Sequence, residues 1–364
     1  MSANDVSALS RRTFMNAAAA GLGAASVAGV ATACTGADGK AASQDRGTPS
    51  GRGLADTVLE AFKTHRLVGL GEAHDLQNHH DALTLLLTDP RLPGVVDDIV
   101  VEFGNALYQD TIDRFTSGQP VENADLRLVW RNTTQSPGET WDSPVYEQFF
   151  RTVRAVNAPL PAHRQIRVLL GDPPIDWSTI TNRTQLLAFR PQRDAHPASV
   201  IQTQVLAKGR RALICYGMDH LTHGGSLAGM LERAGERPYL IADFVPPAGN
   251  PGGLAGRFAR YPQDAVIPTA GTWLGSVEAG LFAPGQCGPR LGSIIDAALY
   301  LGPPANLTAS WWNPAIFLDP LYWQELQRRN ALQGDHGDLG SYRQERPISY
   351  PLFRLPQSQD CAKS

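Results

Sequence analysis

Two short motifs carry a histidine three residues after a glycine, and each motif directly follows an apolar run. The first reads Gly71-Glu72-Ala73-His74 and the second reads Gly217-Met218-Asp219-His220. Each motif predicts a tight turn between a strand and a helix N-terminus, where the helix dipole disfavours a charged imidazole. A neutral imidazole can accept a proton from water or ligate a metal ion. His74 and His220 are therefore predicted to share a catalytic or metal site.

Carboxylates end other apolar runs of the chain. Glu102 ends a β-branched run, Asp172 follows the next run, and Asp243 lies near the end of the last. Since parallel strands end at one edge of a sheet, residues far apart in sequence meet there. Glu72 and Glu102 are predicted to act with the two histidines. The alternative for any one carboxylate is a helix cap or a solvated loop residue, and for Asp172 a cap of the turn that follows.

Five other side chains are weaker candidates for this site. His79, Asp219 and His223 lie near the two motifs without a pattern of their own. Arg131 could hold an anionic substrate group, although a solvated charge is the favoured interpretation. Cys215 lies inside a strand-like run and is expected to be buried rather than nucleophilic.

Strand-like and helical patterns alternate from residue 54 to about residue 245. Apolar runs predict strands over residues 66–70, 98–103, 165–170, 211–216 and 238–244. Helical spacing predicts helices over residues 55–64, 76–87, 106–115, 145–156, 179–189, 198–208 and 227–234. This alternation predicts an α/β fold with a mostly parallel sheet and helices on both faces. The polar residues 117–143 are expected to form a lid or an insertion.

A Pro/Gly-rich stretch over residues 246–256 marks the end of the predicted core. Residues 246–364 are expected to form a C-terminal extension packed back on the core, with helices over residues 293–301 and 320–332. Within this extension, Cys287 and Cys361 are expected either to pair in an oxidising compartment or to stay free.

The N-terminal residues match a twin-arginine export signal. Arg11 and Arg12 precede a weakly apolar stretch over residues 17–33. Residues 31–34 resemble a lipoprotein processing box, which predicts a lipid on Cys34; the alternative is plain cleavage nearby. Residues 1–34 are thus assigned to the signal, 35–53 to a flexible tether and 54–245 to the core. The export machinery and the membrane are the expected partners. The outer face of the cytoplasmic membrane is the expected location.

The composition excludes several classes of function. A formal net charge of −3 gives no basic surface of the kind that nucleic acids require. The four cysteines form no C-x-x-C pair, which argues against a zinc knuckle or a redox motif. The sequence also lacks a Gly-rich phosphate loop and a G-x-S-x-G elbow, so kinase-like and serine-hydrolase functions are not predicted.

The motifs resemble those of a known superfamily. Leu70-Gly71-Glu72-Ala73-His74-Asp75, with His80 shortly after, is similar to the superfamily of erythromycin esterases, ChaN-type haem-binding lipoproteins and TraB/Tiki proteins. A strand that ends in Glu102 and a second G-x-x-H fit the same pattern. The resemblance covers residues 54–244 and implies an α/β fold with its site on one sheet edge. Two departures are Ala73-His74-Asp75, where the esterases usually carry Thr-His-Gly, and a C-terminal third that aligns with none of these families.

The resemblance implies three functions. In the first, a hydrolase of small molecules or peptides, His74 acts as general base on water, oriented or charge-balanced by Glu72 and Glu102, with His220 opposite. A divalent metal held by His74, His220 and Glu102 is a variant of this site. In the second, the protein is a haem or metal carrier of the envelope, with His80 and Tyr216 as cofactor residues. The third is a structural or interaction role.

The N-terminal motif generates a prediction about export. We expect the Arg11→Lys/Arg12→Lys variant to remain in the cytoplasm, because the twin-arginine route requires both arginines. We expect a Cys34→Ala protein to be exported but to leave the membrane fraction. Cell fractionation with immunoblotting measures both outcomes. A Cys34→Ala protein that stays on the membrane would rule out the lipid anchor.

Overall fold

We analysed a computed structural model of the chain. The structure describes residues 51–74, 76–137, 141–244, 253–278, 289–310, 313–334 and 339. The predictions for Arg11, Arg12, Cys34, Cys287 and Cys361 fall outside these residues. Within the described part of the chain, no helix is long and apolar enough to cross a membrane.

An eight-stranded sheet forms the centre of the molecule. In chain order its strands are β1 (Arg52–Gly53), β2 (Leu67–Glu72), β3 (Asp98–Asn105), β4 (Arg167–Asp172), β5 (Ala212–Gly217), β6 (Tyr239–Phe244), β7 (Ala265–Pro268) and β8 (Ala297–Tyr300). Their spatial order is β1-β7-β8-β6-β2-β5-β3-β4. The six strands from β8 to β4 run parallel, whereas β7 is antiparallel to both of its neighbours. This arrangement confirms the predicted α/β fold with a mostly parallel sheet.

Helices cover both faces of the sheet. The first face packs against α1 (Leu54–Ala61), α2 (Gln77–Leu87), α3 (Gln109–Thr116), α4 (Asn123–Arg131) and α5 (Pro144–Asn157). The second face packs against α7 (Gln192–Val200), the turns that follow it, and α8 (Leu227–Arg233). The remaining helices are α6 (Arg183–Leu187), α9 (Leu254–Phe258), α10 (Leu291–Ile294) and α11 (Pro320–Gln333). Strands covered on both faces need apolar residues throughout, which explains their continuous apolar runs.

Most predicted elements are present with shifted ends. All five predicted strands are confirmed, and four of them continue past their predicted ends. The helix expected over residues 198–208 is a π-helical turn at Ile201–Val205 and a 3-10 turn at Leu206–Lys208, preceded by α7. The polar segment 117–143 contains the helix α4, whose apolar side packs into the core.

The prediction of a helix over residues 293–301 is wrong. α10 ends at Ile294, and the four residues of β8 are buried between β6 and β7. Ladder hydrogen bonds to both neighbours and burial on both faces outweigh the helical propensity of the two alanines. The described part of the chain beyond residue 246 thus supplies two strands of the central sheet.

A close contact inside the sheet generates a prediction about stability. A methyl group at Gly171 would lie 1.8 Å from the hydroxyl oxygen of Tyr216 and 2.9 Å from the carbonyl oxygen of Val101. We expect Gly171→Ala to lower the free energy of unfolding by about 1–3 kcal/mol, because the core must shift to admit the methyl group. Urea unfolding measures this change.

Two further variants complete the experiment. Gly53→Ala is the control, since its added methyl group meets no atom within 4 Å. Adding Tyr216→Phe to Gly171→Ala should recover part of the loss, because it removes the closest atom. A Gly171→Ala protein as stable as Gly53→Ala would contradict this packing.

Candidate functional site

The predicted site residues meet at the carboxyl end of three adjacent strands. Glu72 ends β2, Glu102 lies near the end of β3, and β5 runs between these strands and ends at Gly217. The two carboxylates point to opposite faces of the sheet, because side chains alternate along a strand. Glu72 shares its face with Leu70 and the first core, whereas Glu102 shares its face with Val100 and the second.

His74 lies between the two carboxylates at the sheet edge. Its Nδ1 lies 2.5 Å from Oε1 of Glu72, and its Nε2 lies 3.9 Å from Oε2 of Glu102. The His74 side chain is 27% exposed, whereas those of Glu72 and Glu102 are 2% and 4% exposed. The imidazole of His74 is thus the most exposed member of this group.

Gly217 makes room for this imidazole. A methyl group at position 217 would lie 2.8 Å from Nε2 of His74 and 3.3 Å from Oε2 of Glu102. The glycine of the second motif is thus required for close approach to the first motif. On its other side the His74 ring packs against the edge of Trp141, with the ring centroids 4.9 Å apart.

Glu72 is held as a carboxylate. Burial alone would raise its pKa, but the hydrogen bond and charge of His74, together with His80 and His79, lower the pKa of Glu72 to about 2. The Tyr146 hydroxyl also donates to Oε1 at 3.1 Å. An ionised Glu72 accepts the proton on Nδ1 of His74, so the neutral imidazole carries its lone pair on Nε2.

Glu102 is held in a similar way on the opposite face. It accepts hydrogen bonds from the Gln135 amide at 2.7 Å and from the backbone N–H of Gly217 at 2.6 Å. Burial would raise its pKa, but the charge and hydrogen bond of His220, the charge of His74 and the N–H of Gly217 hold the pKa of Glu102 well below its usual range. Both carboxylates of the site therefore stay ionised at neutral pH.

His220 lies between two carboxylates and differs in charge from the sequence-based expectation. Its Nδ1 lies 2.6 Å from Asp194 of α7, and its Nε2 lies 3.4 Å from Glu102. Burial would lower its pKa, but Glu102 and Asp194 raise the pKa of His220 to about 10. The residue is thus an imidazolium at neutral pH. The motif leads into a three-residue 3-10 turn, Met218–His220, rather than an α-helix. The two carboxylates therefore have a larger effect on the pKa of His220 than a helix dipole does.

The residues present do not fit a metal ion. In the described ranges, no group of three or more His, Cys, Asp and Glu side chains is arranged to hold one. Both ring nitrogens of His220 face carboxylates, with Nδ1 2.6 Å from Asp194 and Nε2 3.4 Å from Glu102, so neither nitrogen points to an open ligand position. The geometry therefore does not support ligation by His74, His220 and Glu102.

The two side chains predicted to bind a haem are buried on opposite faces. His80 lies on α2 with its ring edge-on to Tyr146, and burial lowers the pKa of His80 to about 3. Tyr216 is buried in β5, and its hydroxyl oxygen is enclosed near Gly171. An iron ligand must be open to the cofactor, and neither side chain is open in this structure. The described residues therefore do not fit haem ligation through His80 or Tyr216.

The site has further polar partners, of which the sequence singles out two, His79 and Asp243, and only as weak candidates. His79 donates from Nδ1 to Asp243 at 2.9 Å, and the backbone N–H of Ala73 donates to the same carboxylate at 2.8 Å. Asp194 and Gln135 come from a helix and a loop far from either motif. His79 carries a weak signal as a histidine near the first motif, and Asp243 carries one as a carboxylate near the end of a predicted strand.

Apart from His79, the weaker candidates lie outside this arrangement. Asp172 accepts from the backbone and hydroxyl of Thr134 rather than capping the turn after it, and burial raises the pKa of Asp172 to about 7. His223 lies between Glu232 and Asp296. Asp219 is exposed, Arg131 bonds Asp142 at 2.8 Å, and Cys215 is a buried free thiol as expected.

The charge of His220 generates a prediction about stability and pH. Because its pKa is raised from 6.5 to about 10, its stabilising contribution is complete below pH about 6.5 and is lost as pH rises through about 10. Urea unfolding of wild type and His220→Gln should show a difference in free energy that is largest near pH 6 and shrinks toward pH 10. A difference that grows with pH would contradict the imidazolium.

Comparison with known proteins finds solved structures that are similar at low sequence identity. No family model matches the chain, and no curated protein matches it in sequence. A solved erythromycin esterase in its open conformation is 12% identical, with a TM-score of 0.47 over 68% of this chain and 93% of that chain. A protein from Bacillus cereus is 11% identical, with a TM-score of 0.46 over 68% and 90%. The haem-bound ChaN of Campylobacter jejuni is 15% identical, with a TM-score of 0.37 over 52% and 86%.

Proposed function

We propose that the protein is a hydrolase in which His74 removes a proton from water at the sheet edge. One observation carries this proposal. The partly exposed His74 imidazole is bonded through Nδ1 to a buried, ionised Glu72 at 2.5 Å, which directs Nε2 away from that carboxylate. A base oriented by a third group in this way is typical of enzymes that activate a nucleophile.

The proposed reaction depends on a His74 ring that carries its proton on Nδ1 and its lone pair on Nε2. Nε2 of His74 accepts a proton from water, and the hydroxide attacks the carbonyl carbon of an ester or amide. The imidazolium that forms lies between two ionised carboxylates, with Glu72 on Nδ1 and Glu102 3.9 Å from Nε2. Their charge stabilises this cation. The cation then returns the proton to the leaving oxygen or nitrogen as the carbon–heteroatom bond breaks.

His220 supplies positive charge at the same edge. Its ring is 20% exposed and is held as a cation by Asp194 and Glu102. Both of its ring nitrogens face these carboxylates, so the cation offsets part of their negative charge as an oxyanion develops on the substrate. An edge that carries buried carboxylates disfavours anionic substrates, so neutral esters or amides are the favoured class.

The location of this activity follows from the N-terminal motifs. We infer export through Arg11 and Arg12 and anchoring through a lipid on Cys34. A hydrolase placed in this way acts on small molecules or peptides in the cell envelope. The haem or metal carrier is the competing function and is an outcome of the experiment below.

Substitution of His74 tests the proposed function. With the exported, processed full chain and a panel of ester and amide substrates, we expect His74→Ala to lower kcat about 10²–10⁴-fold, because a general base contributes about this much. His163→Ala is the matched control, since this histidine is exposed in the 3-10 turn Ala162–Arg164 and is not part of the site. Circular dichroism should show that both variants remain folded.

The same preparation distinguishes the competing carrier. Its metal content and visible spectrum should show no stoichiometric metal and no Soret band. A Soret band, or hydrolysis that His74→Ala leaves unchanged, would contradict the proposed function.

A further inference from the structure

Three buried polar atoms converge behind Glu72, on the side away from His74. They are Oε2 of Glu72, Nε2 of His79 and Nε2 of His80, and within the described residues none of them makes a hydrogen bond. Nε2 of His79 lies 3.7 Å from Oε2 of Glu72, and Nε2 of His80 lies 3.5 Å from the same oxygen. Unpartnered polar atoms are costly to bury, so a group of three points to a bound ligand.

The protonation states define what this ligand must do. Nδ1 of His79 bonds Asp243 at 2.9 Å and Nε2 faces Oε2 of Glu72; burial would lower the pKa of His79, but these two carboxylates raise it, which favours a ring that donates from both nitrogens. Burial lowers the pKa of His80 to about 3, so that ring is neutral. Glu72 is an ionised carboxylate that only accepts. The site therefore offers one donor from His79, one acceptor from Glu72, and an Nε2 on His80 that accepts in one tautomer.

We propose that one water molecule binds between Glu72, His79 and His80. Its oxygen accepts the N–H at Nε2 of His79, and its two protons bond Oε2 of Glu72 and Nε2 of His80. Atoms that lie 3.5 and 3.7 Å apart are spaced so that one water oxygen can bridge each pair at about 2.8 Å. Three hydrogen bonds to otherwise unpartnered atoms are the usual environment of a buried water.

The bound water extends the polar chain of the site. His79 donates a hydrogen bond to Asp243 and another to the water. The water donates to Oε2 of Glu72, and Oε1 of Glu72 bonds His74. His79 and Asp243 are thus positioning residues that act on His74 through Glu72. This role rests on the proposed function, whereas the water site itself rests on the three atoms alone.

A crystal structure of the full chain at about 1.5 Å or better, combined with nitrogen-15 NMR of labelled histidines, tests the water site. We expect a water oxygen about 2.7–3.1 Å from all three atoms. We expect His79 to be protonated at both nitrogens and His80 to be neutral with its proton on Nδ1. A metal ion at about 2.1 Å from these atoms, no density between them, or a protonated Nε2 on His80 would each overturn the proposal.

Substitution tests the positioning role separately. His79→Gln should lower kcat about tenfold with little change in KM and should shift the His74 Nδ1 proton resonance. His80→Gln provides a second variant, and His163→Gln is the matched control. If wild type hydrolyses no substrate, the proposed function fails while the crystal and NMR measurements still decide the water site. An unchanged His74 resonance in both site variants would contradict the positioning role.

Discussion

The burial of two carboxylates at the end of a parallel sheet is the constraint on which the rest of the site depends. A buried carboxylate must be paired and hydrogen-bonded, because desolvation of an isolated charge is very costly. Here Glu72 and Glu102 lie on opposite faces of the sheet, and the ring of His74 faces both. The 2.5 Å contact between Nδ1 of His74 and Glu72 satisfies one carboxylate and orients the base with the same atoms.

The backbone of the sheet makes this contact available. β5 runs between the strands that carry the carboxylates, and Gly217 at its end leaves room for the His74 ring. The N–H of the same glycine donates to Glu102. A single residue thus admits the imidazole and satisfies the second carboxylate, which explains why the second motif begins with glycine.

The site residues that belong to a motif or end a strand could be predicted from the sequence. Glu72, His74, Glu102 and His220 were predicted to meet because each follows an apolar run, and parallel strands end at one edge. Asp194 could not be predicted, because it lies on a helix with no motif and reaches His220 only through the tertiary fold. The charge of His220 depends on that contact and was therefore missed as well.

The C-terminal part of the sheet shows a different limit of prediction from sequence. The local sequence predicts a helix over residues 297–300, because alanine favours helix. In the structure these residues form the strand β8, which is buried between two neighbouring strands. Pairing of this kind depends on residues far away in the chain, and a local pattern does not contain it. His79 is only a weak candidate in the sequence for the same reason, since its partner Asp243 lies 164 residues further along the chain.

The pH dependence of hydrolysis by wild type and Glu72→Gln tests the central claim most directly. If Glu72 stabilises the protonated form of His74, removing its charge lowers the pKa that governs the acid limb of kcat/KM. The account predicts that this limb moves to lower pH in Glu72→Gln and that the plateau rate falls. An acid limb at the same pH in both proteins would contradict the coupling of Glu72 to the base.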